Sequence, residues 1–281
     1  MRRGPHLSRL ATVLTVGLAL LTPMAANIAG AAAAVTPGSA PALAPIPEFV
    51  ASAPRHGFHA PASGPRPNPP EIARRAARVA RFTNLLAAVP DTLPALARPE
   101  AGARRVGVVP AGSKYYGFPI VAWVEDTSAD GRWGLVELPY TWPRRQGWIR
   151  IAGLRRTTTK IRVDVDLSEH LVTVTRLGEV RFRAPAATGR PSSPTPVGRY
   201  FVTDRVAFSG GAYGTYAFGI SGIQPFLPPG WTGGNQLAIH GTNQPSTIGT
   251  SASAGCVRVS EDTLSRLKPL LAYGTPVIIH P

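Results

Sequence analysis

Apolar and polar residues alternate strictly from Ile161 to Leu167, with Ile161, Val163, Val165 and Leu167 on one face. That period of two is the mark of a half-buried strand. A polar turn, Ser168-Glu169-His170, separates it from Leu171–Val174, which reads as its partner. Further strands are predicted at Val180–Ala187, Gly198–Thr203 and Gln236–His240. The period then changes. Leu264, Leu267, Leu270 and Leu271 recur at helical spacing behind Ser260, an N-cap with Glu261 and Asp262 in the first turn. Gly274 ends that helix, and Val277-Ile278-Ile279 reads as a closing strand. Residues 159–281 are therefore expected to be a mostly β domain with one late helix.

Upstream, Ile72, Ala76, Val79, Phe82 and Leu86 share a helical stripe, so residues 71–89 are predicted to form one amphipathic helix with Arg74, Arg75, Arg78 and Arg81 on the remaining surface. Residues 99–156 read as a small all-β domain: runs at Phe118–Val124, Gly134–Leu138 and Trp148–Arg150 are punctuated by Ser128-Ala129-Asp130-Gly131. Its Trp133-Gly134-Leu135-Val136 and Gly147-Trp148-Ile149 resemble bacterial SH3-like modules of exported wall proteins; a plain β packing unit accounts for the same tryptophans. Phe208–Gly234, rich in glycine with Tyr213, Tyr216, Phe218 and Trp231, reads as a mobile flap or as an anchored loop.

Composition adds compartment and partners. Residues 35–70 are dominated by Pro, Ala, Gly and Ser and read as an extended linker; His56 and His59 within it make no metal site. Residues 1–34 carry Arg2, Arg3 and Arg9, an apolar run from Leu10 to Leu21 and Ala-x-Ala cleavage sites, the pattern of an export signal. An uncleaved anchor stays open. The net charge is +15, of which +11 falls on residues 1–158 and +4 on residues 159–281. Such a balance attracts polyanions, whether wall polymers or a membrane surface. Nucleic acid is excluded for want of basic stretches interleaved with aromatics.

With one cysteine, the chain has no internal disulfide. Cys256 and His240 are therefore a candidate nucleophile and base. A buried structural thiol beside a satisfied strand-end histidine is the competing reading. Gly241 and Gly255 flank the two residues, and backbone N–H groups around Gly255 and Cys256 are suited to an oxyanion. Arg258 suits a substrate carboxylate or an ion pair with Asp262. Tyr216 is a further candidate substrate contact.

The letters around these residues decide between the readings. His240-Gly241-Thr242-Asn243 followed by Ser253-x-Gly255-Cys256-x-Arg258 resembles the signature of the YkuD-type L,D-transpeptidase catalytic domain. Thr195-Pro196-Val197-Gly198-Arg199-Tyr200-Phe201, Gly189-Arg190-Pro191 and Val163–Ser168 are similar to that family's upstream strands, over about residues 159–281. The resemblance implies a β-sandwich in which a peptidoglycan stem peptide acylates the cysteine and the histidine acts as base. It implies Ser253, Gly255 and Arg258 as the frame of the nucleophile, no cofactor or metal, and carbapenem-like β-lactams as inhibitors. Ala254 and Arg258 stand where many members carry His and Asn. The function so implied is 3→3 cross-linking by an exported, wall-located enzyme. An L,D-carboxypeptidase or a non-catalytic wall-binding protein is the alternative.

Overall fold

The computed structural model describes residues 68–281. The expected signal at 1–34, nearly all of the linker, and His56 and His59 lie outside the described residues. Helix α1 (Pro69–Arg81) opens on Asn68, whose side chain accepts the Glu71 N–H at 3.0 Å, with two prolines in the first turn. It ends at Arg81 rather than at the expected Val89. Phe82 caps it, Thr83 Oγ1 donates to Val79 O at 2.5 Å, and the chain turns into strand β1 (Asn84–Val89). Tertiary pairing overrides the helical stripe here. Leu86 lies opposite Trp123 on one side and Thr157 on the other, so β1 is hydrogen-bonded along both edges and buries Leu86, Ala87 and Val89.

β1 belongs to an antiparallel sheet completed by β2 (Leu93–Leu96), β3 (Arg105–Val109), β4 (Ile120–Thr127), β5 (Trp133–Glu137), β6 (Gln146–Arg150) and β7 (Arg156–Thr159). Its order is β3-β2-β6-β5-β4-β1-β7. The sheet thus begins well before residue 99 and includes four strands besides the three runs read from sequence.

The second sheet is built from β8 (Ile161–Asp166), β9 (Leu171–Arg176), β10 (Glu179–Pro185), β12 (Gly198–Ala207), β13 (Tyr216–Ile223), β14 (Gln236–His240), β16 (Val257–Arg258) and β17 (Pro276–His280). The order is β10-β9-β8-β17-β12-β13-β14-β16; a separate short pair joins β11 (Thr188–Gly189) to β15 (Ser251–Ser253). β12 is the corner. Its first half, Gly198–Phe201, pairs with β17, and its second half pairs with β13 after a register shift between Val202 and Asp204. The two halves of the sheet face a common core in which Val163, Val165 and Val172 meet Phe218, Ile220, Leu237 and Ile239. Helix α2 (Glu261–Leu267) adds Leu264 and Leu267; Ser260 caps it by accepting the Thr263 N–H.

Phe201 points the other way. It is fully buried among Leu86, Val109, Ile120 and Trp123 of the first sheet, and Ile278 of β17 packs beside it. Alternation along β12 therefore places Tyr200 and Val202 in one core and Phe201 in the other. Around that contact, Tyr140 N–H donates to Ser221 O at 2.7 Å, and the Arg199 guanidinium lies 4.4 Å from the Trp123 ring centroid and pairs with Glu125.

Candidate active site

β14 and β16 run parallel, with Ile239 opposite Val257 and His240 opposite Arg258. Leu237, Ile239, Val257 and Val259 are buried in the core. The period of two then puts Gln236, Ala238 and His240 on the opposite face, with Cys256 and Arg258 beside them. All five line one cleft. Cys256 immediately precedes the strand that carries Arg258, so it borders the same cleft as His240. Residues 242–254 form the connection that lets two strands so close in sequence lie parallel.

The cleft holds both groups neutral. Burial presses the His240 imidazole down to about 4; the Gly241 carbonyl opposes this and the Arg258 charge reinforces it. Burial pushes the Cys256 thiol above its ordinary value, against the Ala238 N–H and the Arg258 charge. His240 Nδ1 lies 2.5 Å from the Gly241 carbonyl oxygen, which can only accept, so Nδ1 carries the proton and Nε2 keeps its lone pair. Tyr213 sets the ring edge-on from the other side at a centroid distance of 5.0 Å. Both shifts favour a neutral thiol and a neutral imidazole over a thiolate and an imidazolium.

The loop carrying Cys256, the candidate nucleophile, is clipped from within. Buried Ser253 Oγ donates to Cys256 O at 2.6 Å and accepts the Gly255 N–H at 3.0 Å. Gly255 has φ +117°, and a Cβ there would overlap the Gln224 amide, so both conformation and space require glycine. Gln224, itself buried, donates through Nε2 to Pro194 O at 2.9 Å and Ala254 O at 3.2 Å. Arg258 Nη1 donates to Gln244 Oε1 at 3.2 Å, while its buried Nε has no partner among the described residues.

Cys256, His240, Ser253 and Arg258 come together at the cleft, with Gly255 beside them. Ser253 acts by holding the loop, and the Gly255 N–H is committed to it rather than open to an oxyanion. Arg258 makes no ion pair with Asp262; its partner is Gln244. Gly241 serves packing: a side chain there would meet Glu261, Leu264 and Gly214, and the Glu261 carboxylate accepts the Thr215 N–H at 3.0 Å. Tyr216 is the clearest displacement. It is part of β13, within the stretch read as a flap, and is two residues along from fully buried Phe218. It packs on the core side, with Lys268 Nζ 5.0 Å from its ring centroid. The aromatic that reaches His240 is Tyr213, in a 3-10 turn just before the strand. Gln224 was also missed, since nothing local in Ile223-Gln224-Pro225 marks it.

Residues 160–279, which contain this cleft, match the family model of the YkuD L,D-transpeptidase catalytic domain. Residues 160–279 belong to that family. Two relatives, each named L,D-transpeptidase YkuD, accompany it. The one from Bacillus subtilis strain 168 is 27% identical over 123 residues, covering 44% of this chain and 68% of its own. The one from Bacillus licheniformis is 29% identical over 134 residues, covering 47% and 74%. Among solved structures, an L,D-transpeptidase from Mycobacterium tuberculosis H37Rv is 20% identical, with a TM-score of 0.38, covering 78% of this chain and 88% of its own. An L,D-transpeptidase solved in complex with imipenem is also 20% identical, with a TM-score of 0.39, covering 74% and 85%.

Residues 160–279 are thus an L,D-transpeptidase catalytic domain, and with His240 as base and Cys256 as nucleophile the neutral pair sets a pH profile. The log of kcat/KM against pH should be flat across neutrality and fall on the acid side only near pH 4, where His240 protonates. Its alkaline limb should lie above the ordinary thiol range. An acid limb centred near the usual imidazole value of 6.5 contradicts the buried neutral base. Stability follows the same sign. The folded value is below the unfolded one, so the unfolded chain binds this proton more readily; the contribution is complete above 6.5 and is lost as pH falls through about 4.

Proposed function

We propose that this L,D-transpeptidase is exported to the cell wall and forms 3→3 cross-links between peptidoglycan stems through a Cys256 acyl-enzyme. The observation that carries this reading is that His240, at the end of β14, and Cys256, just before its parallel partner β16, line one cleft. As the sulfur attacks the carbonyl of the third stem residue, His240 Nε2 takes the thiol proton. Collapse of the tetrahedral intermediate breaks the bond to the terminal D-alanine, and the imidazolium returns the proton to that leaving amine. An amine of a neighbouring stem then attacks the thioester, gives its proton to His240 and frees the thiol. The Cys256 N–H is the loop amide suited to the oxyanion, because the Gly255 N–H is taken by Ser253. The unpartnered Arg258 Nε suits the carboxylate of the departing residue. A carbapenem offers the same thiol a strained carbonyl, and an adduct of its full mass on Cys256 is expected. The basic first 158 residues favour retention on anionic wall polymers or at the membrane surface.

Incubation with disaccharide-tetrapeptide, followed by mass spectrometry, tests the reading. A cross-linked dimer with released D-alanine supports it. Tripeptide alone makes the protein an L,D-carboxypeptidase, with water as acceptor. Wall binding without turnover makes it a non-catalytic module.

A further inference from the structure

The β3–β4 loop of the first sheet reaches the wall of the cleft. Tyr115 OH accepts the Asn235 N–H at 3.0 Å and donates to the Asn235 side-chain oxygen at 3.0 Å; Lys114 Nζ donates to that same oxygen at 2.8 Å. The Tyr115 ring lies against Gly234, which has φ +73° and no room for a Cβ on that side. Asn235 in turn closes the segment that borders the cleft: its carbonyl accepts the Gln224 N–H at 2.7 Å, so residues 225–234 form a loop pinned at its base. Both ends of the base continue into the catalytic machinery. Gln224 holds the carbonyl of Ala254 in the nucleophile loop, and Gln236, next to Asn235, presents its carbonyl 3.9 Å from Cys256 Sγ.

Lys114 and Tyr115 are both exposed, and their contribution to joining the two sheets is small beside the fully buried Phe201. Their hydrogen bonds instead converge on one residue at the hinge of the cleft wall. We propose that Tyr115, assisted by Lys114, is a positioning residue for the L,D-transpeptidase reaction: the first sheet latches the 225–234 loop and thereby the wall of the cleft that it forms. This rests on the function proposed above, with Cys256 as nucleophile. It also gives the N-terminal module a part in catalysis separate from any attachment to the wall.

The test uses the full chain carrying Tyr115→Phe, which keeps the ring on Gly234 and removes both hydroxyl bonds. KM for the tetrapeptide donor should rise about tenfold with kcat nearly unchanged, as expected for losing paired hydrogen bonds that hold a binding wall. Amide hydrogen exchange in residues 224–235 should accelerate, while the thermal midpoint stays within about 2 °C of the parent. Asn235→Ala should mimic the effect, and the double variant should be no worse than either single one. Unchanged KM and unchanged exchange overturn the latch, as does a loss of activity that merely tracks a lowered melting temperature. If the parent protein itself does not turn over stem peptide, the proposed function fails, and the exchange of residues 224–235 alone decides whether the latch exists.

Discussion

Cys256→Ala should lower turnover of the stem tetrapeptide by about four orders of magnitude or more, leaving a protein that folds and melts as the parent does. The size of the effect follows from chemistry: covalent catalysis needs the sulfur, and no second thiol exists in the chain to substitute. The neutrality of the fold follows from placement. Cys256 is only half-buried, on the cleft face of the sheet, while its neighbours Val257 and Val259 supply the core contacts. Alanine removes one sulfur from a solvent-reached wall and leaves intact the Ser253 clip, which uses the Cys256 carbonyl. Product analysis measures the turnover, and the mass of a meropenem-treated sample reports the lost adduct independently. Turnover that survives the substitution removes Cys256 from the mechanism.

The largest expected effect on stability lies at Phe201. Phe201→Ala should destabilise the protein by about 3–5 kcal/mol, the usual cost of removing a fully buried phenylalanine ring. The ring belongs to β12 of the catalytic sheet but fills the core of the first sheet beside Trp123 and Ile120, with Ile278 of β17 against it. A cavity there weakens both sheets together. Calorimetry should therefore show the transition moving down by about 10 °C or splitting into two, since the ring links the cores. Ile72→Ala on the exposed helix α1 is the control and should change nothing measurable. A parental melting profile for Phe201→Ala shows that the two cores are joined by other contacts.

How far the chain was legible can be argued from single elements. β8 and β9 of the second sheet were readable because they bury one face, and period-two alternation such as Ile161, Val163 and Val165 records it directly. Helix α2 was readable from its Ser260 cap and leucine spacing. β1 was not. Leu85, Leu86, Ala87 and Ala88 are good helix formers, and only pairing with β4 and β7, whose partners lie 31 or more positions away, makes them a strand. β13 was hidden for a related reason: Gly219 and Gly222 make the segment look loop-like, yet there they admit Gln236, Asp204 and Tyr200 against the backbone.

The candidate site divides in the same way. By itself the sequence determined the candidates: one thiol, one strand-end histidine before a glycine, and a Ser-x-Gly-Cys-x-Arg run around the candidate nucleophile. Only the tertiary structure decided which groups face each other. It packed Tyr216 against the core and Tyr213 against His240, committed the Gly255 N–H to Ser253, and brought Gln224 from a distant strand end to hold Ala254. It also decided protonation, because burial is a property of the assembled cleft: the same cysteine and histidine in an open chain would titrate at ordinary values. Residue type fixes which reactions are open to a chain, and the packing of distant segments fixes the distances and the dielectric in which they proceed.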